Sequence, residues 1–155
     1  MAVEIERKFL TRNNAWHRQV YSSARIRQGY LVNERNLTVR VRVAGSEARL
    51  TLKGPMQGFS RTEYEYPIPV ADADQMLVNL CQRPLIEKTR YWLRHGGHTW
   101  EIDVFEGDNL GLTVAEVELS YPDEQIELPE WIGKEVSNDP RYLNASLVRR
   151  PYRQW

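Results

Sequence analysis

Residues 3–10 read VEIERKFL, and the fold turns on how that alternation is understood. Val3, Ile5 and Phe9 fall on one face of an extended chain, and Glu4, Glu6 and Lys8 on the other. That is the period of a half-buried β-strand. Two carboxylates and an ammonium in a row need no explanation if the face meets water. They need one if other strands repeat the pattern.

Other stretches do repeat it. LTVRVRVA (37–44) sets Val39, Val41 and Val43 against Thr38, Arg40 and Arg42, and ARLTLK (48–53) sets Leu50 and Leu52 against Arg49, Thr51 and Lys53. SRTEYEYPI (60–68) opposes Tyr64, Tyr66 and Ile68 to Arg61, Glu63 and Glu65. In LIEKTRYWL (85–93), Leu85, Tyr91 and Leu93 face away from Lys88 and Arg90, although Ile86 and Trp92 blur the charged side. HTWEIDVF (98–105) opposes Trp100, Ile102 and Val104 to Glu101 and Asp103. LTVAEVELS (112–120) opposes Ala115, Val117 and Leu119 to Glu116 and Glu118. With the weaker ARIRQGYLV (24–32), eight strands are expected. The turn signals VNERN, AGSE, KGPMQG, RHGGH and EGDNLG separate them and favour antiparallel neighbours. Two stretches leave the strand period. ADADQMLVNLCQ (71–82) predicts a helix capped by Asp72, and SNDPRYLNASLVRR (137–150) predicts another, with Asn138 or Asp139 as cap. No repeat or linker interrupts the chain, so residues 1–155 are read as one domain.

Composition narrows the function. Twenty-one basic residues balance 21 acidic ones, which argues against nucleic acid as a main partner. The lone Cys81 fits a reducing compartment. Charge begins at Glu4 and no apolar run approaches membrane-spanning length, so a soluble cytoplasmic protein without membrane contact is expected. The oligomeric state is left open, a homodimer included.

The charged faces carry like charges in pairs: Glu4 with Glu6, Arg40 with Arg42, Glu63 with Glu65, Lys88 with Arg90, Glu101 with Asp103, and Glu116 with Glu118. Neighbouring like charges repel, and folding alone gains nothing from them. A sheet closed on itself explains them, with the charges lining a ligand-sized interior and the apolar faces turned outward under helices. The expected fold is therefore a β-rich α+β domain, an eight-stranded antiparallel barrel forming a tunnel with helices packed outside. Its lining would hold seven cations (Lys8, Arg40, Arg42, Lys53, Arg61, Lys88 and Arg90) and eight anions (Glu4, Glu6, Glu63, Glu65, Glu101, Asp103, Glu116 and Glu118). Guanidinium groups suit phosphate oxygens, and hard carboxylate oxygens suit Mg²⁺ or Mn²⁺. A small-molecule polyphosphate with a divalent metal satisfies both halves. On that reading Glu4 and Glu6 are metal ligands and Lys8 a phosphate contact.

EIERKFL (4–10) resembles the ExExK signature of the CYTH superfamily, the triphosphate tunnel metalloenzymes. The similarity continues in order through Arg40-x-Arg42, Lys53, Arg61-x-Glu63-x-Glu65, EKTRY with Lys88 and Arg90, Asp103, EVE with Glu116 and Glu118, and DPRYLN (139–144). The resemblance implies metal-dependent hydrolysis of triphosphates, and the compact chain looks most similar to the small bacterial inorganic triphosphatases. Thiamine triphosphate hydrolysis, cyclisation of ATP to cyclic AMP, and polyphosphate binding without catalysis are the alternatives. It further implies that Lys8, Arg40, Arg42, Lys53, Lys88 and Arg90 hold phosphates, with Arg61 beside them. Glu4, Glu6, Asp103, Glu116 and Glu118 would bind metal, and Glu63 and Glu65 would orient arginines.

Tyr30, in RQGYLV, is the candidate general base, with Lys8 as its catalytic partner, because a nearby ammonium favours the phenolate. A core role for Tyr30 stands equally beside that one. His17, His95 and His98 are given no site role, and the five tryptophans are read as outer-core residues. Lys134 and Glu135 are read as a surface pair in a helix-like stretch, with Lys134 reaching the tunnel mouth as the alternative, Arg141 as a salt bridge anchoring the last helix, and RRPYRQW (149–155) as a disordered tail or a packing contact.

Overall fold

Strand alternation closes into a barrel here, with charged side chains on the inner face and most of the apolar ones turned outward. The computed structural model describes residues 2–155. Its strands are β1 (Ala2–Thr11), β2 (Ser22–Glu34), β3 (Leu37–Ala44), β4 (Glu47–Lys53), β5 (Ser60–Ile68), β6 (Ile86–His95), β7 (His98–Phe105), β8 (Thr113–Glu118) and β9 (Ile132–Glu135). The helices are α1 (Val70–Asn79) and α2 (Asn144–Arg149). Neighbours run β5-β4-β3-β2-β6-β7-β8-β1, every pair antiparallel, and β1 pairs with β5 to close an eight-stranded circuit.

β1 makes that closure with half its length. Glu4 and Ile5 pair with Arg61 and Ser60 of β5, whereas Phe9 and Thr11 pair with Glu135 and Ile132 of β9. β9 therefore lies outside the barrel circuit and corrects the helical expectation at Lys134 and Glu135. Four residues are too few for a period to declare itself. A backbone contact fixes β9 instead: a Cβ at Gly133 would lie 3.0 Å from the Leu10 carbonyl oxygen. The Arg7 guanidinium then clasps Glu135 with two hydrogen bonds of 2.8 and 2.7 Å.

The apolar core forms three patches, two outside the barrel wall and one inside it at the end near the C-terminal segment. α1 covers Val41, Val43 and Ala48 with Ala73 and Leu77. The 3-10 turn Ala15–Gln19 and the connection before β9 cover Phe9, Leu93, Trp100 and Ile102, bringing in Trp16 and Trp131. The C-terminal segment supplies Tyr142, Leu147 and Val148 to the third patch, which also takes Tyr30, Ile86, Phe105 and Val114.

Helix boundaries depart from expectation at both helices. α1 is preceded by Pro69 at the cap position, with Asp72 inside the first turn, where a carboxylate complements the helix dipole. The C-terminal helix is broken into a 3-10 turn, Pro140–Tyr142, and then α2. The Asp139 side chain caps the turn by accepting from the Arg141 backbone N–H at 3.1 Å. The Arg141 side chain returns to Asp139 at 2.7 Å, so its ion pair holds the turn before α2. The tail is ordered by packing: the Tyr152 N–H donates to Asn109 Oδ1 at 2.8 Å, and Trp155 stacks edge-on against Tyr142.

Candidate active site

Cross-strand pairing gathers the charged faces into a cavity of about 270 Å³. Its lining includes Glu4, Glu6 and Lys8 of β1, Arg40 and Arg42 of β3, Lys53 of β4, Arg61, Glu63 and Glu65 of β5, Arg90 of β6, Glu101 of β7, and Glu116 and Glu118 of β8.

Three of these guanidiniums lack a carboxylate. Arg40 is only 6% exposed, yet its Nη2 reaches only Thr51 Oγ1 at 3.4 Å and its Nε has no partner. Arg42 Nε donates to the neutral Gln28 Oε1 at 2.8 Å, and Arg61 Nε to the Gly54 carbonyl at 3.3 Å. Among the described residues none of the three makes a salt bridge, in a molecule that has 21 acidic side chains to offer. Burial, and then the neighbouring Arg40 and Arg90, bring the Arg42 pKa down to about 9. Cations crowded out of water without a counter-ion are costly. The wall is short of an anion.

The carboxylates show the opposite strain. Glu6 stands directly across from Glu118 in the β1–β8 register, and Glu116 across from Glu101 in the β7–β8 register. Like charges at such positions destabilise a sheet. Burial raises Glu6 well above the usual carboxylate range, with Glu116 adding to it. Burial also raises Glu118, reinforced by Glu4 and Glu101. Lysines relieve part of this. Lys8 Nζ lies 3.9 Å from Glu6 and 3.7 Å from Glu116, and Lys53 Nζ lies 2.8 Å from Glu4 and 3.5 Å from Glu63. A hydrogen bond to Glu4, followed by burial, lifts Glu63 to about 7. Burial would raise Glu4 too, but that bond and Lys53 hold it below its ordinary value.

These oxygens fit a hard divalent cation. Among the described residues no three acidic or histidine side chains are gathered closely enough to chelate an ion alone. Mg²⁺ in phosphate sites is commonly held by one or two carboxylates together with substrate oxygens, and the facing Glu6 and Glu118 could hold an ion in that way.

Lys88 and Asp103 are set behind the cavity. Both side chains are 0% exposed, and Lys88 Nζ meets Asp103 Oδ2 at 2.8 Å. Arg90 grips the same carboxylate with Nε at 2.7 Å and Nη2 at 2.9 Å, and its Nη1 reaches Glu101 at 3.1 Å. Although buried, Asp103 is held far below the carboxylate range by these two cations. The structure thus gathers Glu4, Glu6, Glu116 and Glu118 around the cavity and leaves Asp103 bound to cations behind it. Of the expected phosphate contacts, Lys8, Arg40, Arg42, Lys53, Arg61 and Arg90 line the cavity and Lys88 does not. Glu63 pairs with Lys53, and Glu65 pairs with Arg49 at 3.6 Å and accepts from Thr51 Oγ1 at 3.2 Å, the hydroxyl that Arg40 Nη2 reaches. Tyr30 lines the cavity while its ring packs with Ile86 and Phe105. Burial opposes the charge on Lys8, but Glu116, Glu6 and Glu4 outweigh it and raise the Lys8 pKa.

Toward α2 the interior turns apolar: Leu10 follows Lys8, Val114 precedes Glu116, and Phe105 stands across from Lys88. The C-terminal segment packs there as a plug and contributes Leu143, Asn144 and Ala145 to the cavity wall. Thr38, Gln28 and Asn144 are polar groups to which the sequence reading gave no site role. The first two share the charged face by parity, whereas Asn144 is marked only as the last residue of DPRYLN.

A closed antiparallel barrel with unpaired arginines set beside crowded carboxylates defines a class, the charge-lined tunnel barrel. The chain belongs to the CYTH domain family, whose pattern matches residues 2–152, and that membership implies a divalent metal. An inorganic triphosphatase of Acetivibrio thermocellus is 45% identical over 155 residues, spanning 100% of this chain and 99% of that one. An inorganic triphosphatase of Nitrosomonas europaea is 37% identical over 149 residues, spanning 94% and 96% respectively. The solved structure of the inorganic triphosphatase NE1496 superposes with a TM-score of 0.68 at 35% identity, covering 94% of this chain and 97% of that one. The PH1012 protein of Pyrococcus horikoshii OT3 shares the fold, with a TM-score of 0.59 at 18% identity over 77% of this chain and 81% of that one. Among the described residues no helix is long and apolar enough to cross a membrane.

Proposed function

We propose that the protein is an inorganic triphosphatase, hydrolysing tripolyphosphate to pyrophosphate and orthophosphate with Mg²⁺ or Mn²⁺. The observation that carries this is the set of three cavity guanidiniums, Arg40, Arg42 and Arg61, without a carboxylate partner. A short polyanion supplies the charge they lack. The cavity, at about 270 Å³, falls just below the usual range of small-ligand pockets (roughly 300–1,000 Å³), which suits a bare phosphate chain better than a nucleotide. The full-length relatives that carry the name inorganic triphosphatase support the same reading.

Phosphoryl transfer is catalysed mainly by positioning and charge neutralisation. Arg40, Arg42 and Arg61 would bind and align the phosphates, and Lys8 and Lys53 would neutralise oxygens at the carboxylate side. Glu6 and Glu118, with Glu4 and Glu116 beside them, would hold the divalent ion, which when bound supplies further neutralisation and acidifies the attacking water. Tyr30 would take that water's proton on its phenolic oxygen, Lys8 favouring the phenolate.

Two outcomes check this account. Tyr30→Phe should cut kcat by about 10²–10⁴-fold, the range of a positioned proton acceptor, and leave KM near wild type. Wild-type activity should rise toward alkaline pH, because the acceptor is the deprotonated form, and the variant should lose that rise. A Tyr30→Phe enzyme with wild-type kcat across the pH range removes tyrosine from the mechanism. The second outcome concerns substrate choice. Tripolyphosphate should exceed ATP by at least about tenfold in kcat/KM, roughly 1.4 kcal/mol. Equal turnover, or cyclic AMP as product, would favour the cyclase reading.

A further inference from the structure

Lys88 does not line the cavity, yet one residue connects it to the wall. Asn144 opens α2, and its Oδ1 accepts from Lys88 Nζ at 3.2 Å. The ammonium is otherwise held by Asp103 at 2.8 Å and lies 5.4 Å from the centre of the Phe105 ring. The two arms of a carboxamide diverge, so an amide whose oxygen is bound to Lys88 presents its nitrogen elsewhere. Asn144 is half-buried and lines the cavity. Its Nδ2 makes no hydrogen bond among the described residues. It is also absent from the sealed, unpaired nitrogens, which among the described residues belong to Trp16, Gln28, Arg40, Trp100 and Trp131. Nδ2 is therefore an unpaired, unsealed donor on a residue that lines the cavity at its plug end.

We propose that Asn144 is a substrate-binding residue, donating from Nδ2 to a phosphate oxygen while Lys88 fixes the orientation of the amide through Oδ1. This rests on the triphosphatase reading and adds to it a recognition group on the C-terminal plug. Its neutrality has a physical reason. The adjoining wall already crowds Arg40, Arg42 and Arg90, and a further cation there would deepen their repulsion. An amide polarised by an ammonium on its oxygen donates more strongly than an ordinary one, so part of the Lys88 charge is felt at the substrate without Lys88 leaving Asp103. The plug thereby becomes part of the binding site as well as its end wall.

Two substitutions separate substrate binding from a purely structural role. Asn144→Asp is nearly isosteric and keeps an oxygen for Lys88, but it removes the donor. Asn144→Ala removes both arms. KM and kcat for tripolyphosphate should be measured for wild type, both variants and Asn144→Gln, each with its Tm. A hydrogen bond to a charged phosphate oxygen predicts a rise in KM of about ten- to a hundredfold for Asn144→Ala. Asn144→Asp should rise at least as far while melting with wild type, and Asn144→Gln should recover part of the loss. Asn144→Asp that melts with wild type and keeps wild-type KM overturns the proposal, since supporting Lys88 would then be the residue's whole role. Wild-type protein that neither binds nor turns over tripolyphosphate fails the triphosphatase reading itself, a result distinguishable from either variant's behaviour.

Discussion

Asp103→Ala should lower folding stability by about 3–5 kcal/mol, the cost of removing one partner from a buried ion pair. This carboxylate is the shared anion of Lys88 and Arg90, and neither it nor Lys88 has any exposed side-chain surface. Without it, a buried ammonium keeps only the neutral Asn144 oxygen, and Arg90 keeps only its 3.1 Å contact with Glu101. Glu118→Ala makes the control. Glu118 is exposed at the cavity rim and stands opposite Glu6, so its removal should change stability by less than about 1 kcal/mol. Chemical denaturation of the two variants beside wild type reads the difference directly, and equal midpoints would mean that Asp103 is not the anchor. The pH dependence follows from the depressed pKa of Asp103. The unfolded carboxyl takes up its proton near pH 4, whereas the folded one stays ionised well below that. Its contribution is therefore complete above about pH 4 and is lost progressively as pH falls. Asp103→Ala should lack that part of the acid slope.

Removing divalent metal should abolish turnover, by on the order of a thousandfold or more, since a bound ion supplies several kcal/mol of charge stabilisation. The reason lies in the charge balance of the lining. Lys8 and Lys53 are already engaged by Glu6, Glu116, Glu4 and Glu63. The arginines alone face a tetra- or pentaanion beside a wall of carboxylates. Glu4→Gln and Glu118→Gln should each lower kcat and raise the metal concentration needed for half-maximal rate. A steady-state titration with Mg²⁺ after exhaustive chelation measures both effects. Full activity in EDTA would contradict the assignment of these carboxylates.

Much of this architecture can be read from alternation alone. Parity placed Arg40 and Arg42 on one face and Val39 and Val41 on the other, and a closed sheet was the arrangement that gave paired like charges a purpose. Parity assigns a side chain to the inside or the outside, but it says nothing of depth along the barrel axis, which depends on strand tilt and register. That is why Lys88 and Asp103 looked equivalent to Arg90 and Glu101, while the fold sets the first two behind the cavity. Partner choice was equally hidden: the Lys53–Glu63 pairing comes from the β4–β5 register. β9 was missed because its place is fixed by a close backbone approach at Gly133. Asn144 was missed because its neighbour in space, Lys88, lies 56 residues away in sequence.

The most direct test of the central claim is phosphorus NMR of tripolyphosphate incubated with the purified protein and Mg²⁺. If the unpaired arginines and facing glutamates form a triphosphate site, the substrate signals should give way to pyrophosphate and orthophosphate in equal amounts. Tripolyphosphate left intact under those conditions, while ATP is converted to cyclic AMP, would contradict the account.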